Sequence, residues 1–225
     1  MLSPLNTKEK KNLYSMFKDS YFRSEILYTL FGNKPLSITE FLPTKEYKEG
    51  WKAWKNIATN LRSTNYTLRK VDYKNPRNQY VVSYILVGNN QALKQCYNAN
   101  IEEFKKRNLS FTEIWRSLTE GNPPIRILLD DDFILGILLG YGKENASLFV
   151  KDQSKKQNNP RLQPFSSTHP IFYYFSPIMP PQFACDPYSN ETLELKKQYL
   201  ETKKNILQLY RHDDLFELML ITLRE

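Results

Sequence analysis

Two groups of side chains in this chain carry enough chemistry to be candidate sites. The first is Cys185 with His169, one of only two cysteines and one of only two histidines. An imidazole beside a thiol can take its proton and leave a nucleophilic thiolate, and Asp186 or Asn190 could orient such a pair. Pro170, Pro177, Pro180 and Pro181 lie between the two and stiffen the chain without any motif that aims the groups at one another. The second is the run Tyr141, Lys143, Glu144 and Asn145, which places a phenol, an ammonium, a carboxylate and an amide together as a polar binding cluster. Gly140-Tyr-Gly142 resembles the start of a phosphate loop, but Asn145 stands where the third glycine belongs and a helix-like run, not a strand, precedes it. Three adjacent aspartates, Asp130, Asp131 and Asp132, could bind Mg²⁺ through one or two carboxylates, yet consecutive helical side chains diverge by about 100°. With no second acidic motif, and no Cys/His ligand spacing, neither a metal nor a cofactor is expected.

The same aspartates read more simply as a helix start. Ahead of Phe133 to Tyr141, a carboxylate can accept free backbone N–H groups, and Gly136 and Gly140 within that run need close backbone packing to offset their cost. Thr7 to about Phe22 and Lys45 to about Leu61 have helical periodicity, the second through Trp51, Trp54, Ile57 and Ala58. Residues 25–31 and 36–41 are β-rich runs around the turn Gly32-Asn-Lys-Pro35, predicting a hairpin. Tyr66–Tyr73 and Gln79–Val87 predict a second hairpin, with the nearly all-apolar second run as a central strand. Helices follow from about Gln91 to Lys106 and from Ser110, where Glu113 stands at capping-box spacing. A long helix from Ser189 to about Arg211, with Leu193 among its inward residues, and a last one to Leu223 complete the pattern.

Helices interleaved with hairpins and then a helical C-terminus predict an α+β fold, a small antiparallel sheet of hairpins packed with several helices. One domain over residues 1–225 is expected, carrying a Pro- and aromatic-rich loop at about 155–187 with a short strand near 171–175. Free, inert thiols at Cys96 and Cys185 fit their isolation better than a disulfide. The start lacks an apolar leader and no stretch is long enough to span a bilayer, so a soluble protein, cytoplasmic or exported, is expected.

Net charge is +8, and residues 1–75 hold 14 Lys+Arg against 7 Asp+Glu. That excess is a footprint for an anionic partner such as nucleic acid. Dispersed lysines among acids read first as a solvated face, so nucleic acid is the less favoured partner.

The strings YTLFGNKPLSITEF at Tyr28–Phe41, the Trp51 and Trp54 pair, the ILV strand before the Cys96 helix, and ILGILLGYGKENASLF at Ile134–Phe149 go together. In them the chain resembles a group of uncharacterised proteins from bacteria that live inside host cells. The resemblance implies a setting and no activity, and it brings no catalytic residue. A non-enzymatic binding or interaction protein with a protein partner is the expectation; a nucleic-acid binder through the basic N-terminal third and a hydrolase near the Pro-rich loop are the alternatives.

Overall fold

The computed structural model describes residues 5–23, 25–58, 63–74, 79–121, 124–155, 162–165, 178, 180–212 and 215–224. Three runs rich in β-branched and aromatic residues form an antiparallel sheet: β1 (Leu36–Glu40), β2 (Tyr66–Lys74) and β3 (Val81–Asn89), in the order β1-β3-β2. β2 and β3 are the predicted hairpin, with Tyr66 opposite Asn89 and Lys74 opposite Val81. β3 is central, and its side chains alternate between two cores: Ile85 and Val87 enter one, Leu86 the other. Its Ile85–Val87 stretch, buried on both faces, needs no polar side, which is why that part of the strand is wholly aliphatic.

The first predicted hairpin does not form. Ile26–Leu30 is a short helix, α2, with all five residues buried, and β1 pairs with β3, Leu36 opposite Gly88. β-propensity yields here to tertiary fit. α2 lies across the sheet, where the Thr29 and Ser37 hydroxyls are 2.7 Å apart and the Asn89 side-chain amide donates to the Thr29 carbonyl at 3.1 Å.

On the same face lie α1 (Thr7–Arg23) and α3 (Lys45–Ala58), which contribute Leu13, Met16, Phe17, Trp54 and Ile57 to the first core. The opposite face carries α4 (Asn90–Ala99), α5 (Ile101–Lys105), α6 (Phe111–Thr119), α7 (Arg126–Leu129), α8 (Asp132–Leu138) and α9 (Lys143–Lys155). The single helix predicted from Gln91 to Lys106 breaks at Asn100, whose side chain donates to the Cys96 carbonyl at 2.9 Å, a local bond that competes with helix continuation. α6 opens on the predicted capping box: Glu113 N–H donates to Ser110 Oγ at 3.2 Å, and Ser110 N–H donates to the Glu113 carboxylate at 2.8 Å.

The aspartate triplet divides its work. Asp131 caps α8, accepting from Phe133 and Ile134 N–H, both at 3.0 Å, while Asp130 pairs with Arg126 at 2.6 Å and accepts from the Tyr73 hydroxyl at 2.7 Å. α8 ends at Leu138, short of the predicted Tyr141. Its end is a Schellman motif: Tyr141 N–H donates to Gly136 O at 3.1 Å and Gly140 N–H to Ile137 O at 2.9 Å, with Gly140 at φ +74. Gly140 therefore serves a left-handed turn outside the helix. Gly136 is the interior glycine, and a Cβ built there would stand 2.9 Å from the Ala146 Cβ of α9.

After α9, β4 (Gln163–Pro164) pairs with β5 (Ala184–Cys185), and two helices, α10 (Asn190–His212) and α11 (Leu215–Thr222), close the first core through Tyr199, Ile206, Phe216 and Met219. The strand expected near 171–175 lies outside the described residues. Leu193, expected to face inward, is exposed, and Tyr199 takes an inward place on α10. The chain is thus α+β, a small antiparallel sheet between two helical layers with a helical C-terminus. Among the described residues no helix is long and apolar enough to cross a membrane.

Gly136→Ala should lower stability in urea unfolding by about 1–3 kcal/mol, because the added methyl overpacks the α8–α9 crossing. Ala146→Gly should then cost less in the Gly136→Ala background than in the parent. Equal costs in both backgrounds would show that these helices do not meet at this point.

Candidate functional site

The two most distinctive phrases of the sequence, residues 32–35 and 139–146, meet in space. Lys34, wholly buried, extends from the turn between α2 and β1 to donate to the Leu139 carbonyl, and its ammonium pairs with Glu25 Oε2 at 2.7 Å. It stands 4.7 Å from the centre of the Tyr141 ring. The Tyr141 hydroxyl reaches the same carboxylate at 3.5 Å, and the other Glu25 oxygen accepts from Gln182 N–H at 2.6 Å. Tyr199 of α10 donates to the Gly140 carbonyl at 2.7 Å. Burial pulls the Lys34 pKa below the ordinary lysine value, and the Glu25 charge opposes that pull. Burial, with the Glu25 charge adding to it, holds the Tyr141 and Tyr199 phenols well above theirs, so both are neutral hydrogen-bond donors at physiological pH.

The predicted cluster after Gly140 splits into separate duties. Asn145 is buried and satisfied: its amide donates to Tyr141 O at 2.9 Å and contacts Thr192 Oγ1 at 3.0 Å, and its oxygen accepts from Asp186 N–H at 3.1 Å. Lys143 sends its ammonium to Glu103, 3.0 Å away. The backbone N–H groups of Lys143, Glu144 and Asn145 all donate to one carboxylate, Glu191 of α10, at 2.7, 2.9 and 3.1 Å. A helix N-terminus leaves such donors free and favours negative charge beside it. Burial nonetheless raises the Glu191 pKa, and the three N–H bonds only moderate the rise. The backbone N–H groups of Lys143, Glu144 and Asn145, with the Asn145 side chain, therefore hold α9 to α10, while the Glu144 side chain is exposed.

Cys185 is buried in the first core, and burial pushes its thiol up to about 11. Cys96 donates to the Ile137 carbonyl at 3.3 Å, with burial pushing its thiol up to about 12. Both cysteines are free, and both are thiols at neutral pH. His169 lies outside the described residues. Among the described residues no group of three or more His, Cys, Asp and Glu side chains is placed to hold a metal ion.

Beside this junction a cleft of about 790 Å³ opens between α4, α10 and the two loops. Its rim carries four exposed neutral amides, Asn33 on the first loop, Gln95 on α4, and Gln198 and Asn205 on α10, beside the exposed charges of Lys143 and Glu201. Each amide offers both donors and an acceptor. A smaller groove of about 320 Å³ runs along α8 and α9 past Leu135, Leu139, Phe149 and Phe183.

The missed residues are Lys34, Glu191 and the amides. Lys34 sits in a phrase that reads as a turn, Glu191 reads as an ordinary first-turn acid, and the amides become a set only when three elements converge. Comparison with protein families, curated proteins and solved structures finds no match to any of them.

Native protein should alkylate slowly with iodoacetamide near neutral pH at both Cys96 and Cys185, and rapidly once unfolded in urea. Fast native alkylation at Cys185 would restore the Cys/His nucleophile as a working site.

Proposed function

We propose that the protein acts by binding a protein partner, seating an extended polypeptide segment in the amide-rimmed cleft. The observation that supports this reading is the rim itself. Asn33, Gln95, Gln198 and Asn205 line a space of about 790 Å³ that falls within the usual size of ligand sites. A peptide backbone presents donors and acceptors in pairs, and side-chain amides answer both without needing an opposite charge.

The candidate reactive groups point the same way. Asn145 and Glu191 are taken up in joining α9 to α10, and Cys96, partly buried, and Cys185, buried, are held as thiols. A hydrolase at the Pro-rich loop would need the Cys185 thiolate, which burial disfavours. The resemblance of the sequence would place this interaction in a bacterium living within host cells.

A mixed library of short fluorescein-labelled peptides, followed by polarisation, tests the reading. Some sequences should bind, and the double variant Gln95→Arg with Asn205→Arg, both at exposed helix positions, should weaken them by at least about tenfold, or about 1.4 kcal/mol. Equal binding to the variant, no binding to the parent, or cleavage of the peptides with turnover would overturn it.

A further inference from the structure

Four of the fourteen basic residues of the N-terminal third lie on one helix face. Lys45, Lys48, Lys52 and Lys55 follow one another along α3 at spacings of three, four and three residues, which puts all four on one side. All are exposed, and among the described residues none is paired with a carboxylate. Glu46 and Glu49 fall on the flank away from Trp51, by the 100° advance per residue of a helix. The stripe runs for about 15 Å along the helix axis.

Trp51 borders this stripe. It is half-buried, and Phe41 packs against it edge-on with ring centres 6.3 Å apart, which fixes the indole in place. Its open side lines a shallow concavity of about 660 Å³ shared with Lys55 and, from β2, Leu68 and Lys70. Lys70 belongs to the fold, 2.6 Å from Asp72 and 5.0 Å over the Phe41 ring, and Arg69 donates to the Ser117 carbonyl at 3.1 Å, so among the described residues lining the concavity Lys55 is the cation left without a partner.

We propose that this face of α3 binds single-stranded nucleic acid, with the four lysines on successive phosphates and the Trp51 indole as the surface on which one base stacks. Aromatic rings flanked by cations are how sequence-tolerant single-strand sites are built. A recessed ring suits a flat base that can enter a concavity. A lipid surface would instead require apolar side chains that project beyond the lysines, and a duplex keeps its bases stacked out of reach. This site stands apart from the amide-rimmed cleft and uses none of its residues.

The test is anisotropy of fluorescein-labelled oligothymidylate with the full chain, against unlabelled random-sequence duplex as competitor and phosphatidylserine vesicles in a parallel flotation assay. With four cations engaged, affinity should fall about fifty-fold between 50 and 200 mM salt, from the slope of about 0.7 per phosphate on single strands. The triple variant Lys48→Gln, Lys52→Gln, Lys55→Gln, confined to exposed positions, should reduce that log–log slope by about 2. Trp51→Phe should keep binding within about twofold, and Trp51→Ala should lose about tenfold. The Gln95→Arg, Asn205→Arg protein should bind oligothymidylate as the parent does, so this site and the peptide reading fail separately. No oligonucleotide binding, a slope unchanged by the triple variant, equal competition by duplex, or flotation with vesicles in place of oligonucleotide binding would each overturn the proposal; the lysine variants and Trp51→Phe decide it even if Trp51→Ala fails to fold.

Discussion

An ammonium group enclosed by protein must find a counter-charge and hydrogen-bond acceptors, since an uncompensated buried charge costs several kcal/mol. Lys34 meets that demand with the Glu25 carboxylate, the Leu139 carbonyl and the face of Tyr141. Those partners come from the chain just before α2 and from the turn after α8, so the pair ties one layer of helices to the other past the edge of the sheet. Glu25 extends the tie to Gln182 and the segment entering β5. The constraint then explains its surroundings. Gly140 takes a left-handed φ and leaves no Cβ where Pro35 Cδ would stand 2.9 Å away, and Tyr199 brings α10 onto the Gly140 carbonyl.

A second polar joint lies one turn further along. The Glu191 carboxylate gathers the first three N–H groups of α9, and Asn145 spends its amide on Tyr141, Thr192 and Asp186. Such saturated networks specify one arrangement of helices and leave little free valence for chemistry. The solvent-exposed amides of this region lie instead around the cleft, which is where the peptide reading places its contacts. Elsewhere, among the described residues, the four exposed lysines of α3 are unpaired beside the half-buried Trp51.

Much of the fold is legible in the sequence wherever local pattern and tertiary environment agree. The β-rich runs 66–74 and 81–89, the capping box at Ser110 and the helical stripe of α3 all have a local cause. Residues 26–30 are misleading because their β-rich composition answers to burial on every side, which a short helix satisfies as well as a strand. Gly140 misleads in another way: a Schellman turn and a packed helix interior both call for glycine, and only the bond from Tyr141 N–H to Gly136 O separates them. The site residues are harder still. Tyr141, Lys143, Glu144 and Asn145 stand out as a polar run, but whether they face a ligand or α10 depends on Glu191, more than forty residues away. Lys34 carries no local sign of burial, since its partners approach from Glu25 before it and from Leu139 and Tyr141 more than a hundred residues on.

The measurement that bears most directly on the Lys34 joint is a double-mutant cycle of Lys34→Met and Glu25→Gln in urea unfolding. Removing the ammonium alone leaves the Glu25 carboxylate without its cation and should cost about 3–5 kcal/mol. The double variant should recover part of that loss, giving a coupling energy of more than about 1 kcal/mol. Losses that add within about 0.5 kcal/mol would mean that the two side chains do not act on one another, and that the layers are joined by something else.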